Sequence, residues 1–193
     1  MKSYALVLFT LLLSACVPVA TPTLDPVSKN YYSLDTRTGI PEVDEVLAAV
    51  ESGDPQMLRD LFRFTTIACM TVNALGGPPS CREGEAEGTL VEVLPSLGSE
   101  GSFLRKDEID NWPGLDISAL YAVYRVSENA YSEEYFPKGD YGIFLIGGEN
   151  TPGVILQVEP DGIVRLDYVF DESSFPVILQ RDASEIILGP ESR

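Results

Sequence analysis

Histidine is absent from the 193 residues. That absence removes Ser-His and Cys-His nucleophile schemes, histidine-metal hydrolysis and imidazole acid–base work. Positive charge is scarce as well, with 13 Lys and Arg against 30 Asp and Glu and a formal net charge of −17. Because phosphate binding needs a basic surface, and no Lys/Arg run exceeds Arg105-Lys106, nucleic acid is excluded as a partner. The same acidity argues against attraction to anionic lipid headgroups. Gly76-Gly77-Pro78-Pro79 lacks the preceding strand, following helix and lysine of a phosphate loop. No cofactor is expected. Long apolar runs are missing too: the longest, near the start, stops well short of the roughly 20 residues that span a bilayer.

What is present begins with that short run. Met1-Lys2-Ser3 carries one positive charge and leads into Tyr4-Ala5-Leu6-Val7-Leu8-Phe9-Thr10-Leu11-Leu12-Leu13, the layout of a secretory signal peptide. Leu13-Ser14-Ala15-Cys16 then resembles the lipobox of bacterial lipoproteins. The resemblance implies acylation of the Cys16 thiol, cleavage before it and acylation of the new amino terminus. Several acyl chains, each worth about 0.8 kcal/mol per buried methylene, hold a protein durably on a membrane. The alternative is an ordinary cleaved signal with a chance cysteine. The expected organisation is a signal peptide over 1–15, a lipidated tether over 16–37 rich in proline and small polar residues, and a single domain over 38–193. The expected location is the extracytoplasmic side of a bacterial membrane, with the membrane itself as partner through the lipid on Cys16.

Cys69 and Cys81 remain as an even pair in an oxidising compartment, and a disulfide is the simple reading. A loop of this size stabilises by about 3 kcal/mol in the chain-entropy model. The alternative is a pair of free thiols; with no histidine, a zinc shell needs carboxylates to complete it.

Pro41, the acidic Glu42, Asp44 and Glu45, and the apolar spacing of Val43, Val46, Leu47 and Val50 predict a helix ended by Gly53. Asp54-Pro55 restarts one whose buried face is Leu58, Leu61 and Phe62. The wording from Val46 to Pro55, followed by Leu58 and Leu61, resembles the opening helices of NTF2-like (SnoaL-like) domains. That resemblance implies helices covering a curved sheet with an apolar ligand cone. It transfers no site residues, and the chain lacks the Asp-His pair some members use. An ankyrin repeat reads similarly, but no second copy recurs at a fixed period. Leu75 to Gly88 is Gly, Pro and charge, an irregular loop.

Strands are expected over 89–94, 120–126, 142–146, 154–159 and 163–170, the last two joined at Pro160-Asp161-Gly162. Asp107 to Trp112 reads as a helical turn, and Val177 to Gln180 as an edge strand. Alternation of Val164, Leu166, Tyr168 and Phe170 with Arg165 and Asp167 places one face on the core and one on water. The fold class is therefore α+β, a helical hairpin packed on a four- to six-stranded antiparallel sheet.

Catalytic material is limited to carboxylates such as Glu83, Glu85 and Glu87, Asp107, Glu108 and Asp110, and Glu133-Glu134. Solvated surface charge explains each of them, no EF-hand spacing appears, and neither a catalytic residue nor a metal ligand is assigned. Tyrosines are the other candidates, because they give amphipathic area at small entropic cost. An exposed set suits a sugar or a protein, whereas packing in the sheet is the competing reading. Arg125 and Arg165 would share a sheet face if their strands were neighbours and would then receive an anion; an ion pair with Asp167 or Glu92 is the alternative. The candidate binding residues are thus Gly76, Gly77, Tyr121, Tyr124, Arg125, Tyr135 and Arg165. The leading expectation is a noncatalytic lipid-anchored domain that binds a protein or small ligand through the disulfide loop and the aromatic segment from Tyr121 to Tyr141. Its rivals are an NTF2-like pocket enzyme using carboxylates and a structural envelope component.

Overall fold

The computed structural model describes residues 31–72, 76–148 and 151–190; the signal peptide, Cys16 and Leu75 lie outside them. Helix α1 (Pro41–Ser52) starts at a proline in its first turn. The Asp44 carboxylate reaches back to accept from the Thr38 and Gly39 N–H groups at 2.7 and 2.9 Å, fixing the entry of the chain. Gly53, at φ 66°, supplies the left-handed residue that ends it. Asp54 then accepts from the Gln56 N–H at 2.9 Å and caps the short α2 (Pro55–Asp60).

Eight strands follow: β1 (Thr65–Ala68), β2 (Leu90–Leu97), β3 (Gly101–Arg105), β4 (Ile117–Val126), β5 (Tyr141–Gly147), β6 (Gly153–Glu159), β7 (Gly162–Val169) and β8 (Ala183–Leu188). They form one sheet in the order β1-β2-β7-β6-β5-β4-β8, with β3 also paired to β2. Every pairing is antiparallel except β2 with β7, which is parallel at Ser96 to Leu166 and Leu97 to Asp167. The α+β class thus stands, but the sheet is larger than the four to six strands expected, because β1 and β3 are too short to show a period. A second correction concerns Val177 to Gln180: they lie in helix α3 (Phe175–Asp182), begun at Pro176, and the edge strand is β8 beyond it. Residues assigned to the tether also pack, since Tyr32 exchanges backbone hydrogen bonds with Leu120 at 2.8 and 2.9 Å.

The sheet is buried on both faces. On one, Val43, Val46, Leu47 and Val50 of α1 join Leu120, Ile143, Leu145, Leu156, Ile163 and Leu166. Trp112, the only tryptophan, ends a 3-10 turn (Lys106–Asn111) and meets Phe62 edge-on at 5.1 Å between ring centres. On the other face, Tyr121, Ala122, Tyr124, Phe144, Ile155 and Val169 pack with Phe175 of α3. The segment from Ser127 to Gly139 covers the rest of this face, its buried Phe136 stacking on Phe103 at 5.1 Å. The expected alternation holds from Arg165 to Tyr168, while Val164 falls at an irregularity outside the α1-side core and Phe170 is exposed, and the polar residues do not face water. A register shift between Gln157 and Val158 lets Ile163 and Leu166 share the α1 side while Arg165 and Asp167 turn toward the α3 side.

Candidate binding cleft

Arg165, buried to 2 % exposure, is the centre of the α3 face. Its Nε and Nη2 donate to Asp167 Oδ1 and Oδ2 at 2.7 and 2.9 Å. Nη1 donates to the carbonyls of Tyr131, Phe136 and Pro137 at 3.1, 3.0 and 2.8 Å, so one guanidinium ties the covering segment to the sheet. Gln157 completes the arrangement: its Nε2 donates to Asp167 Oδ2 at 3.0 Å, and its Oε1 accepts from the Gly139 N–H at 3.1 Å. Burial pushes the Asp167 carboxyl up from its ordinary range, while Arg165 and Gln157 pull it back. A buried charge held by a bidentate arginine and a third donor is the arrangement that survives desolvation.

Next to this pair α3 supplies a second one. Arg181 Nε and Nη2 donate to Asp182 Oδ1 and Oδ2 at 2.6 and 2.7 Å; the aspartate is buried and the arginine more than half exposed. Between the two pairs lies a cleft of about 300 Å³. Its apolar walls come from Leu97, Ile155, Val169 and Ile178, and Tyr131 stands at its side. The parallel contact between β2 and β7 sets Leu97 beside Asp167, which is how the end of β2 comes to wall the cleft. Beneath, the Tyr124 hydroxyl is buried without a hydrogen-bond partner. Burial, with Asp182 and Asp167 nearby, pushes that phenol far up, against the opposing pull of Arg165 and Arg181. The end of its ring lies close against Gly142, where a Cβ would come within 2.2 Å of it.

The residues singled out from the sequence are dispersed. Arg165 lines the cleft, in the ion pair with Asp167 that was one of its two expected fates. Arg125 is three strands away on β4, exposed, paired with Glu185 at 3.4 Å and stacked over Tyr141; the two arginines do not meet. Tyr121, Tyr124 and Tyr141 are buried and Tyr135 half-buried, so these rings follow the packing alternative rather than an exposed binding set: β4 and β5 place the first three in the cores. Tyr124 and Tyr168 do not enclose a common pocket, because Tyr124 packs with Phe144 and Phe175 while Tyr168 packs with the α1 side. Tyr131 lies within the aromatic segment that the sequence singled out; Arg181 and Asp182 were missed, and their only signal was a charged pair closing an apolar stretch.

The disulfide loop is ordered through another mechanism. Cys69 and Cys81 are bonded, with Cα atoms 4.9 Å apart. Arg105, 8 % exposed, donates from Nη1 and Nη2 to Glu85 at 2.6 and 2.8 Å and from Nη2 to the Ser80 carbonyl at 2.8 Å. The guanidinium of Arg105, followed by the Arg82 N–H, holds the Glu85 carboxyl down at about 2 from 4.5. Arg82 pairs with Asp107 and Glu108 at 2.7 Å, binding the loop to the 3-10 turn. Gly77 borders a polar groove of about 250 Å³ with Pro78, Ser80 and Phe103, and Gly76 is exposed beside it. Cys69, Cys81 and Glu85 are close enough to surround an ion, but sulfurs joined as a disulfide are not thiolate ligands.

Comparison with protein-family models, with curated proteins and with solved structures returned no match. No helix among the described residues is long and apolar enough to cross a membrane.

Proposed function

We propose that this chain is a lipid-anchored protein of the bacterial cell envelope whose folded body is a noncatalytic binding domain, and that its ligand enters the cleft between β7 and α3. The observation that carries the binding part is the pairing of the buried Arg165–Asp167 fork with apolar walls in a cleft of about 300 Å³. Small-molecule sites combine apolar walls with a few fixed polar groups in this way. Asp167, whose carboxyl burial lifts, is clamped on both oxygens, which suits an acceptor of fixed position better than a group that must shuttle protons.

The anchoring part rests on Leu13-Ser14-Ala15-Cys16 and on the Cys69–Cys81 disulfide, which suits an oxidising compartment. Near the start of the described residues Tyr32 pairs with Leu120 of β4, and its hydroxyl donates to the Gly189 carbonyl at 2.7 Å. From there back to Cys16 the chain reaches at most roughly 50 Å when extended. The test is growth of a bacterial host with radiolabelled palmitate. Label is expected on the wild-type chain in the membrane fraction and absent from Cys16→Ala. A soluble, unlabelled wild-type chain with its leader intact overturns the anchoring.

A further inference from the structure

The charge balance of the cleft names a class of ligand, an inference that rests on the binding reading above. Two arginines and two aspartates line the cleft, and each is already neutralised by its neighbour through a two-pronged fork. An anion would find Arg181 Nη1 as the guanidinium nitrogen outside a fork, beside two carboxylates and in a protein whose net charge of −17 repels it from a distance. A cation would meet carboxylates already neutralised by a guanidinium at 2.6–2.9 Å, whose positive charge opposes it. An acyl chain would cover two ion pairs without offering them a hydrogen bond, which is costly for partly solvated charges.

What the forks leave over is hydrogen-bonding capacity. The Asp167 and Asp182 oxygens retain lone pairs beyond those the forks occupy, and the side chains are 15 and 9 % exposed. Arg181 uses Nε and Nη2 and leaves Nη1 outside its fork. Acceptors and donors are thus presented side by side at fixed positions, which matches a hydroxyl group, at once donor and acceptor.

The rim is aromatic. Tyr131 is 42 % exposed beside the cleft, and Phe170, 55 % exposed, lies over Gly98 at its edge. Exposed rings give a flat apolar surface on which the C–H face of a ring-shaped polar molecule can rest. We propose that the cleft is a carbohydrate site taking an uncharged sugar residue, with its hydroxyls on Asp167, Asp182 and Arg181 and one face on Tyr131. The volume of about 300 Å³ accommodates one or two such units and not a long stretch of polymer.

The full mature chain in detergent micelles, applied to an array carrying neutral, sialylated and sulfated oligosaccharides, tests this directly. Neutral glycans are expected to bind, with Tyr131→Ala weakening the signal by at least about fivefold and Val177→Ala, on the exposed side of α3 at 64 % exposure, leaving it unchanged. Thermal melting of Tyr131→Ala alongside separates lost binding from lost folding. Preference for the sialylated or sulfated glycans, abolished by Tyr131→Ala, overturns the assignment to uncharged sugars while keeping the cleft as a binding site. Glycan binding that Tyr131→Ala, still folded, leaves intact overturns the site itself. No binding to any glycan, together with no response of the cleft to inorganic phosphate or tetramethylammonium, overturns both.

Discussion

Arg165 and Asp167 stand two residues apart on one face of β7 and close a two-pronged ion pair at 2.7 and 2.9 Å, while the third nitrogen of the same guanidinium carries the segment from Tyr131 to Pro137. A surface pair would contribute little, but this one is buried, and removal of one partner strands the other. Arg165→Met is expected to lower the unfolding free energy in urea by about 3–5 kcal/mol. The double variant Arg165→Met with Asp167→Leu is expected to lose less than the single, because no unpaired charge remains. A double variant that loses more than the single would show that the charges stabilise beyond satisfying each other.

Tyr124 supplies the opposite case. Its hydroxyl is buried without a partner, so Tyr124→Phe deletes a desolvation penalty and no hydrogen bond. Stability is expected to stay level or rise by about 1 kcal/mol, read from urea denaturation. A fall of that size would mean that the hydroxyl is satisfied in solution.

The disulfide loop should respond to reduction locally. Cys69→Ser with Cys81→Ser is expected to cost about 3 kcal/mol. The Cys81 and Gly88 amides, which donate to the Met70 and Cys69 carbonyls at 2.9 Å, are expected to exchange hydrogen faster than in the wild type. Equal exchange in both proteins would place the rigidity of the loop in the Arg105–Glu85 pair alone.

Acid should release that pair over a defined range. Arg105 depresses the Glu85 carboxyl to about 2 from 4.5, so its stabilising effect is fully present above pH 4.5 and is lost as the pH falls through about 2. Between those values the wild type is expected to lose more stability than Glu85→Gln, measured as the urea midpoint against pH. Parallel curves would contradict the assignment.

The hairpin of β6 and β7 was legible because Pro160-Asp161-Gly162 separates two runs of β-branched residues, and the cysteine pairing followed from counting. Helix α3 was not, because Val177-Ile178-Leu179 has strand-like composition and only Pro176, acting as a first-turn residue, marks a helix start. The polar face of β7 misled for a related reason. Arg165 and Asp167 alternate with apolar neighbours as they would on a solvated sheet, and nothing local reveals that the segment from Tyr131 to Pro137 and helix α3 lie over this face. The cleft is assembled from Leu97, Tyr131, Asp167 and Asp182, spread along the chain, and is a product of the strand order. The parallel step from β2 to β7 is the part of that order that pattern alone does not announce.

Methyl resonances offer the most direct measurement of where this protein binds. In the mature chain titrated with neutral oligosaccharide, shifts are predicted at Ile155, Val169 and Ile178 along the cleft, with Val43, Val46 and Leu47 on the opposite face unmoved. Saturable shifts confined to the loop from Gly76 to Gly88, with the cleft methyls silent, would contradict the account.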